Sequence, residues 1–91
     1  MSGVERVLDI INEKGLHARA SARFVEVVEA HDADAAVSRD GMVVSGDSIM
    51  GLLMLGAAKG TQVEVRTTGK DADTLADALA ELISSRFGEG T

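Results

Sequence analysis

Apolar residues in this chain recur with two periods that take turns along the sequence, and that alternation restricts the fold more than any other feature. Thr61-Gln62-Val63-Glu64-Val65-Arg66-Thr67 alternates in and out at every step, the period of a strand with one face on a core and the other in water. Between Ala18 and Ala30 the repeat changes. Ser21, Phe24, Val25 and Val28 fall at i, i+3, i+4 and i+7, with Arg19, Arg23 and Glu26 on the opposite stripe, the pattern of an amphipathic helix. A chain that switches between these two patterns has to lay helices against a sheet.

The other segments follow the same switching. Leu8 and Ile10 share one face of a strand predicted over Val4 to Ile11, which Asn12-Glu13-Lys14-Gly15 ends. Ala33 to Arg39 and Met42 to Ser45 flank Asp40-Gly41, a dipeptide that accepts positive φ and favours a two-residue hairpin turn. Ser48 is placed to cap a short helix over Ile49 to Leu55, and Gly56 to end it. Ala72, Leu75, Ala76, Leu79, Leu82 and Ile83 form the apolar stripe of a last helix that starts at Asp71 or Asp73, and Gly88-Glu89-Gly90-Thr91 reads as a frayed tail. The order is βαββαβα. It predicts an α+β fold in which helices gather on one face of a four-stranded antiparallel sheet. A chain of 91 residues buries roughly 60 to 70% of its unfolded surface, enough for one core, so residues 1–91 are read as a single domain ordered over about 4–87.

Composition excludes several functions. With 15 acidic and 9 basic residues the formal charge is -6, the wrong sign for gripping a phosphate backbone, so nucleic acid is not an expected partner. Phe24 and Phe87, the only aromatic residues, give no row of platforms for stacked bases and read as core or helix-end packing. There is no cysteine, hence no disulfide framework or thiolate metal site. His17 and His31 have no companion carboxylate pattern of a metal motif, and no metal or cofactor is expected. The N-terminus lacks a basic segment followed by an apolar run, and the stretch from Leu52 to Ala58 is too short to cross a bilayer. These features predict a cytoplasmic chain with no membrane insertion, and the chain is read as a monomer.

The residue that points to chemistry is His17, in Gly15-Leu16-His17-Ala18-Arg19, at the junction of the first strand and the first helix. An imidazole there is accessible and lies beside backbone N–H groups that favour an anion, which is what carrying a phosphoryl group requires. Gly15-Leu16-His17-Ala18-Arg19 resembles the phosphorylation site of the histidine-containing phosphocarrier (HPr) family of the phosphoenolpyruvate-dependent phosphotransferase system. Ser48-Ile49-Met50-Gly51-Leu52 is similar to that family's second signature, around its regulatory serine. The likeness runs from Val4 to Phe87, with both motifs at the family's separation. It implies an open-faced sandwich of four antiparallel strands with three helices on one side.

The resemblance also implies roles. His17 would accept the phosphoryl group from enzyme I through Nδ1 and pass it to an enzyme IIA, as a carrier and not an independent catalyst. The N–H groups of Ala18 and Arg19 would hold the phosphoryl oxygens, with the Arg19 side chain adding a charge-assisted fork. The site should be shallow and wet, since a carrier must also release its cargo. Ser48 would be open to phosphorylation by HPr kinase/phosphorylase, although serine before a short apolar helix also reads simply as its cap. Ala20, Arg23, Ile49, Met50, Leu53 and Met54 would form the docking surface, while Leu52 and Leu55 fill the core. Where the family usually has proline after the arginine, this chain has Ala20, which loosens the start of the helix. The acidic charge and Leu52-Leu53-Met54-Leu55 followed by Ala57-Ala58-Lys59-Gly60 are closer to the nitrogen-related branch of the system than to its sugar branch.

Without the resemblance, the same helix start would also suit a small α+β regulatory module that binds an anionic metabolite without a covalent step. Substituting His17 separates the two, because only phosphoryl transfer needs the ring nitrogen. His31, in Ala30-His31-Asp32, reads as a helix-end residue favourable to the dipole. Asp32, Asp34, Asp71, Asp73, Asp77 and Glu81 read as charges on solvated faces.

Overall fold

The computed structural model describes residues 3–89. Its elements are β1 (Gly3–Asp9), α1 (Ala18–Glu29), β2 (Asp34–Arg39), β3 (Met42–Ser45), α2 (Ile49–Met54), β4 (Gln62–Thr68) and α3 (Ala72–Ser84), followed by a 3-10 turn at Arg86–Gly88. The four strands make one antiparallel sheet in the order β1-β4-β2-β3. The β2–β3 hairpin turns through Asp40 and Gly41, with φ of 52° and 85°, the pair of positive angles the dipeptide predicts.

β4 lies at the centre, and its alternation appears directly as burial. Val63, Val65 and Thr67 are enclosed, while Gln62, Glu64, Arg66 and Thr68 face water. The helices pack on the enclosed face, with α1 against α2 and α3, and α3 against β1 and β4. Phe24, Val25 and Val28 of α1 and Leu75, Leu79 and Ile83 of α3 meet Val37, Val63 and Val65 in one core. The far side of the sheet is left uncovered, with Val7 and Val43 exposed there.

Two ends of the chain path differ from the pattern read in the sequence. β1 stops at Asp9 and not at Ile11, because the next residues turn inward: Ile10 and Asn12 are both fully buried. The tail is not frayed through Glu89. Phe87 is completely enclosed, and Arg86, Phe87 and Gly88 take φ of 58°, 55° and 76°. Side chains rarely adopt that left-handed conformation, and burial of the Phe87 ring holds it in place. Gly90 and Thr91 lie outside the described residues.

Ser48 caps α2, its Oγ accepting the Gly51 N–H at 3.0 Å, and Gly56 closes the helix with φ of 61°. The Arg39 guanidinium donates to the Leu55 carbonyl at 3.0 Å, placing a cation at the helix's negative end. Ser48→Ala is therefore expected to lower stability by about 1 kcal/mol. Urea unfolding followed by circular dichroism would show this as a lower midpoint at unchanged slope. Two aspartates expected simply to face solvent have partners. Asp71 Oδ2 accepts the Asp32 N–H at 2.8 Å, and Asp77 pairs with Arg6 at 2.8 Å.

Candidate functional site

The site begins with the glycine before His17. Gly15 has φ of 64°, and a Cβ there would lie 2.5 Å from the Ala57 carbonyl oxygen, so only glycine lets the two backbones approach. Leu16 N–H donates to that same oxygen at 2.9 Å. His17 N–H turns back to the Gly15 carbonyl at 2.9 Å. The loop before α1 is thus clamped to the segment that follows α2, which fixes where the imidazole emerges.

His17 is the N-cap residue of α1, extended at φ -79° and ψ -176°, and its side chain makes no capping bond. Its carbonyl accepts the first helical hydrogen bond, from Ser21 N–H at 2.8 Å. Among the described residues, the N–H groups of Ala18 and Arg19 meet no acceptor. They form the positive end of the helix, beside the ring.

The imidazole is half-buried in a shallow basin of about 340 Å³ lined by Lys14, His17, Arg19, Arg23, Gly88 and Glu89. Three cations surround a single carboxylate. The sequence places His17 and Arg19 at the site and Arg23 on the docking surface, and the fold brings all three to the same basin. A larger cavity, about 650 Å³, lies on the uncovered face of the sheet along Val7, Asp9, Arg39 and Glu64, away from the imidazole.

Glu89 is the residue that sequence reading missed. Its Oε2 contacts His17 Nε2, and its Oε1 accepts from Asn12 Nδ2 at 3.0 Å. Asn12 also donates to the Gly15 carbonyl at 2.8 Å, so one buried amide links the glycine, the carboxylate and, through it, the imidazole. Among the described residues, Asn12 Oδ1 has no partner. The one sequence signal for this arrangement was Phe87, an aromatic residue close enough to the C-terminus to pin the tail.

The hydrogen bond with His17 is the main cause holding the Glu89 carboxyl below its ordinary value. Burial acts the other way, while the Asn12 amide and the charges of His17 and Lys14 lower it further. A depressed carboxylate stabilises the fold above the unfolded value, near 4.5, and that contribution disappears as pH falls through the lower native value. Acidifying from neutral pH to about pH 3 is expected to lower the melting temperature of the wild type more than that of Glu89→Gln. Thermal unfolding by circular dichroism at each pH reads the difference.

The second signature lies on α2, which packs against α1. Leu52 and Leu55 are buried, as their spacing requires, while Ile49, Met50, Leu53 and Met54 are 42%, 71%, 37% and 67% exposed. Ala20 departs from expectation. It is fully buried under α1, so it offers no surface for a partner to touch. Arg23 is exposed on the next turn of the same helix. His31 sits at the end of α1, its Nδ1 against the Val27 carbonyl at 2.7 Å, as a helix-end residue should.

Comparison with known proteins agrees with this geometry. The family described as "PTS HPr component phosphorylation site" matches residues 4–85. The phosphocarrier protein HPr of Neisseria meningitidis is 44% identical over 87 residues, spanning 96% of this chain and 98% of that protein. The phosphocarrier protein HPr of Pseudomonas putida is 46% identical over 86 residues, spanning 93% and 96%. The crystal structure of HPr-C-His from Thermoanaerobacter tengcongensis superposes with a TM-score of 0.90 at 37% identity, covering 94% of this chain and 97% of that one.

Proposed function

The chain belongs to the HPr family of phosphocarrier proteins, relay intermediates and not independent catalysts, and from that premise we propose that His17 accepts a phosphoryl group from enzyme I and passes it to an enzyme IIA. The observation that carries this reading is the placement of a partly exposed imidazole at the open N-terminus of α1. Nδ1 has no partner among the described residues, so its lone pair is available for attack. The phosphoryl group then lies beside the N–H groups of Ala18 and Arg19 and the Arg19 guanidinium, which stabilise its charge. A shallow basin supports release as well as capture, with the partner proteins completing the transition-state environment.

The exposed apolar residues of α2, with Arg23 on α1, form the docking surface. Methionine suits a surface that meets more than one partner, because its unbranched side chain repacks. Ser48 is the regulatory position in this reading. A phosphate on its Oγ would sit favourably on the N-terminus of α2, yet set about two negative charges next to Asp47 and the apolar patch, weakening docking. No helix among the described residues is long and apolar enough to cross a membrane.

The experiment is intact mass spectrometry without acid, after incubation with phosphoenolpyruvate and enzyme I. The wild type is expected to gain one phosphoryl group and lose it on brief acid treatment, as an N–P bond does. An enzyme I that loads another carrier but leaves this chain unmodified would refute the reading.

A further inference from the structure

We propose that Glu89 is a positioning residue: its carboxylate keeps a proton on His17 Nε2 throughout the phosphoryl cycle, so that Nδ1 always presents its lone pair. The inference rests on the carrier reading above and assigns a role to a residue outside both signatures.

An ionised carboxylate is only an acceptor, so the ring nitrogen that faces Glu89 Oε2 must be the donor. That nitrogen is Nε2. In a neutral imidazole the proton then resides on Nε2 and the lone pair on Nδ1. The carboxylate is itself held in place. Oε1 is fixed by Asn12 Nδ2 at 3.0 Å, and Asn12 is fully buried and tied to the Gly15 carbonyl, two residues before the imidazole. Phe87, enclosed two residues before Glu89, anchors the backbone from the other side. An acid so anchored, with its carboxyl below the ordinary value, stays ionised at neutral pH.

The same contact serves both directions of transfer. On loading, the Nδ1 lone pair forms the N–P bond as the phosphorylated donor protein's own bond to phosphorus breaks, and that bond's electron pair leaves with the donor. The Nε2 proton stays, so the ring becomes a cation that faces the Glu89 carboxylate. On unloading, the N–P bond breaks toward the acceptor, the pair returns to Nδ1, and the neutral Nε2–H ring is regenerated. No proton has to move on or off the ring in either step.

The test is the ¹⁵N spectrum of the imidazole in the full chain, recorded where the ring is neutral, for wild type, Glu89→Gln and Glu89→Ala. Two-bond nitrogen–proton correlations distinguish the tautomers. The wild type is expected to show the Nε2–H form alone. Glu89→Gln, which keeps an acceptor oxygen, is expected to retain it, and Glu89→Ala to show a mixture. Loading by enzyme I is expected to slow about 10-fold in Glu89→Ala, by analogy with the low end of the loss when a metal-bound imidazole loses the partner on its other nitrogen, and to recover in part in Glu89→Gln. A merely structural role for Glu89 would change the melting temperature and leave the tautomer alone. An Nδ1–H form in the wild type, or a Glu89→Ala protein with the wild-type tautomer and loading rate, would overturn the proposal. The tautomer is read without any phosphoryl donor, so its failure is distinct from a failure of the carrier reading.

Discussion

His17→Ala is expected to gain no phosphoryl group under conditions that load the wild type completely, while keeping its fold. The loss is total because the substitution removes the atom that forms the covalent bond, not a group that only assists it. Among the described residues, no other side chain is placed to substitute. His31 is engaged with the Val27 carbonyl at the far end of α1, where the helix dipole disfavours an anion. Ser48 Oγ is engaged as the cap of α2, accepting from Gly51 N–H, and an unactivated hydroxyl is a weak nucleophile. The fold survives because the His17 imidazole is only partly buried and caps nothing, its role in starting α1 being carried by the backbone carbonyl. Ser48→Ala serves as the contrast: it loses about 1 kcal/mol of stability and still loads. Intact mass after incubation with enzyme I and phosphoenolpyruvate reads both variants at once. A noncovalent anion-binding module would give no mass change in any of them.

The second large effect concerns the core. Phe24→Ala is expected to cost about 3–5 kcal/mol, against a total of about 5–15 kcal/mol for a domain of ordinary stability. Phe24 is fully buried, and most of what α1 otherwise buries is small: Ala20, Ser21, Val25 and Val28. The ring reaches across to the strand edge, where a Cβ on Gly46 would sit 3.3 Å from its Cε1. With neighbours this small and this close, the space left by the ring cannot be refilled by a rotamer change. Phe24→Leu leaves less empty volume and is expected to cost about half as much. An exposed apolar residue such as Met50 changed to alanine is expected to stay within about 0.5 kcal/mol of the wild type. Urea unfolding followed by circular dichroism orders the three.

How much of this was visible in the sequence depends on how local each signal is. β4 and α1 were legible because alternation and the i, i+3, i+4 repeat record burial directly, residue by residue. The Asp40-Gly41 turn and the Ser48 cap were legible because their chemistry is completed within four residues. The Glu89 contact was not. It joins residues 72 positions apart, and a glutamate between two glycines at a chain end reads as solvated. The path that delivers it passes through positive φ at Arg86 and Phe87, residue types that give no hint of that conformation. Ala20 was misread for a related reason. Its neighbour Arg19 is exposed while it is buried, and membership of a motif does not say which side of the helix start faces a partner. Asn12 looked like the end of a strand, and only its bonds to the Gly15 carbonyl and to Glu89, residues the fold brings to it, show what the buried amide does.

The most direct measurement of the central claim is a ³¹P spectrum of the ¹⁵N-histidine-labelled protein after loading, recorded without acid and with enzyme I removed. The expected result is one phosphoryl resonance coupled to Nδ1 of His17, which disappears when an acceptor enzyme IIA is added. A resonance coupled to no nitrogen, or one that persists unchanged beside an acceptor that discharges another carrier, would contradict it.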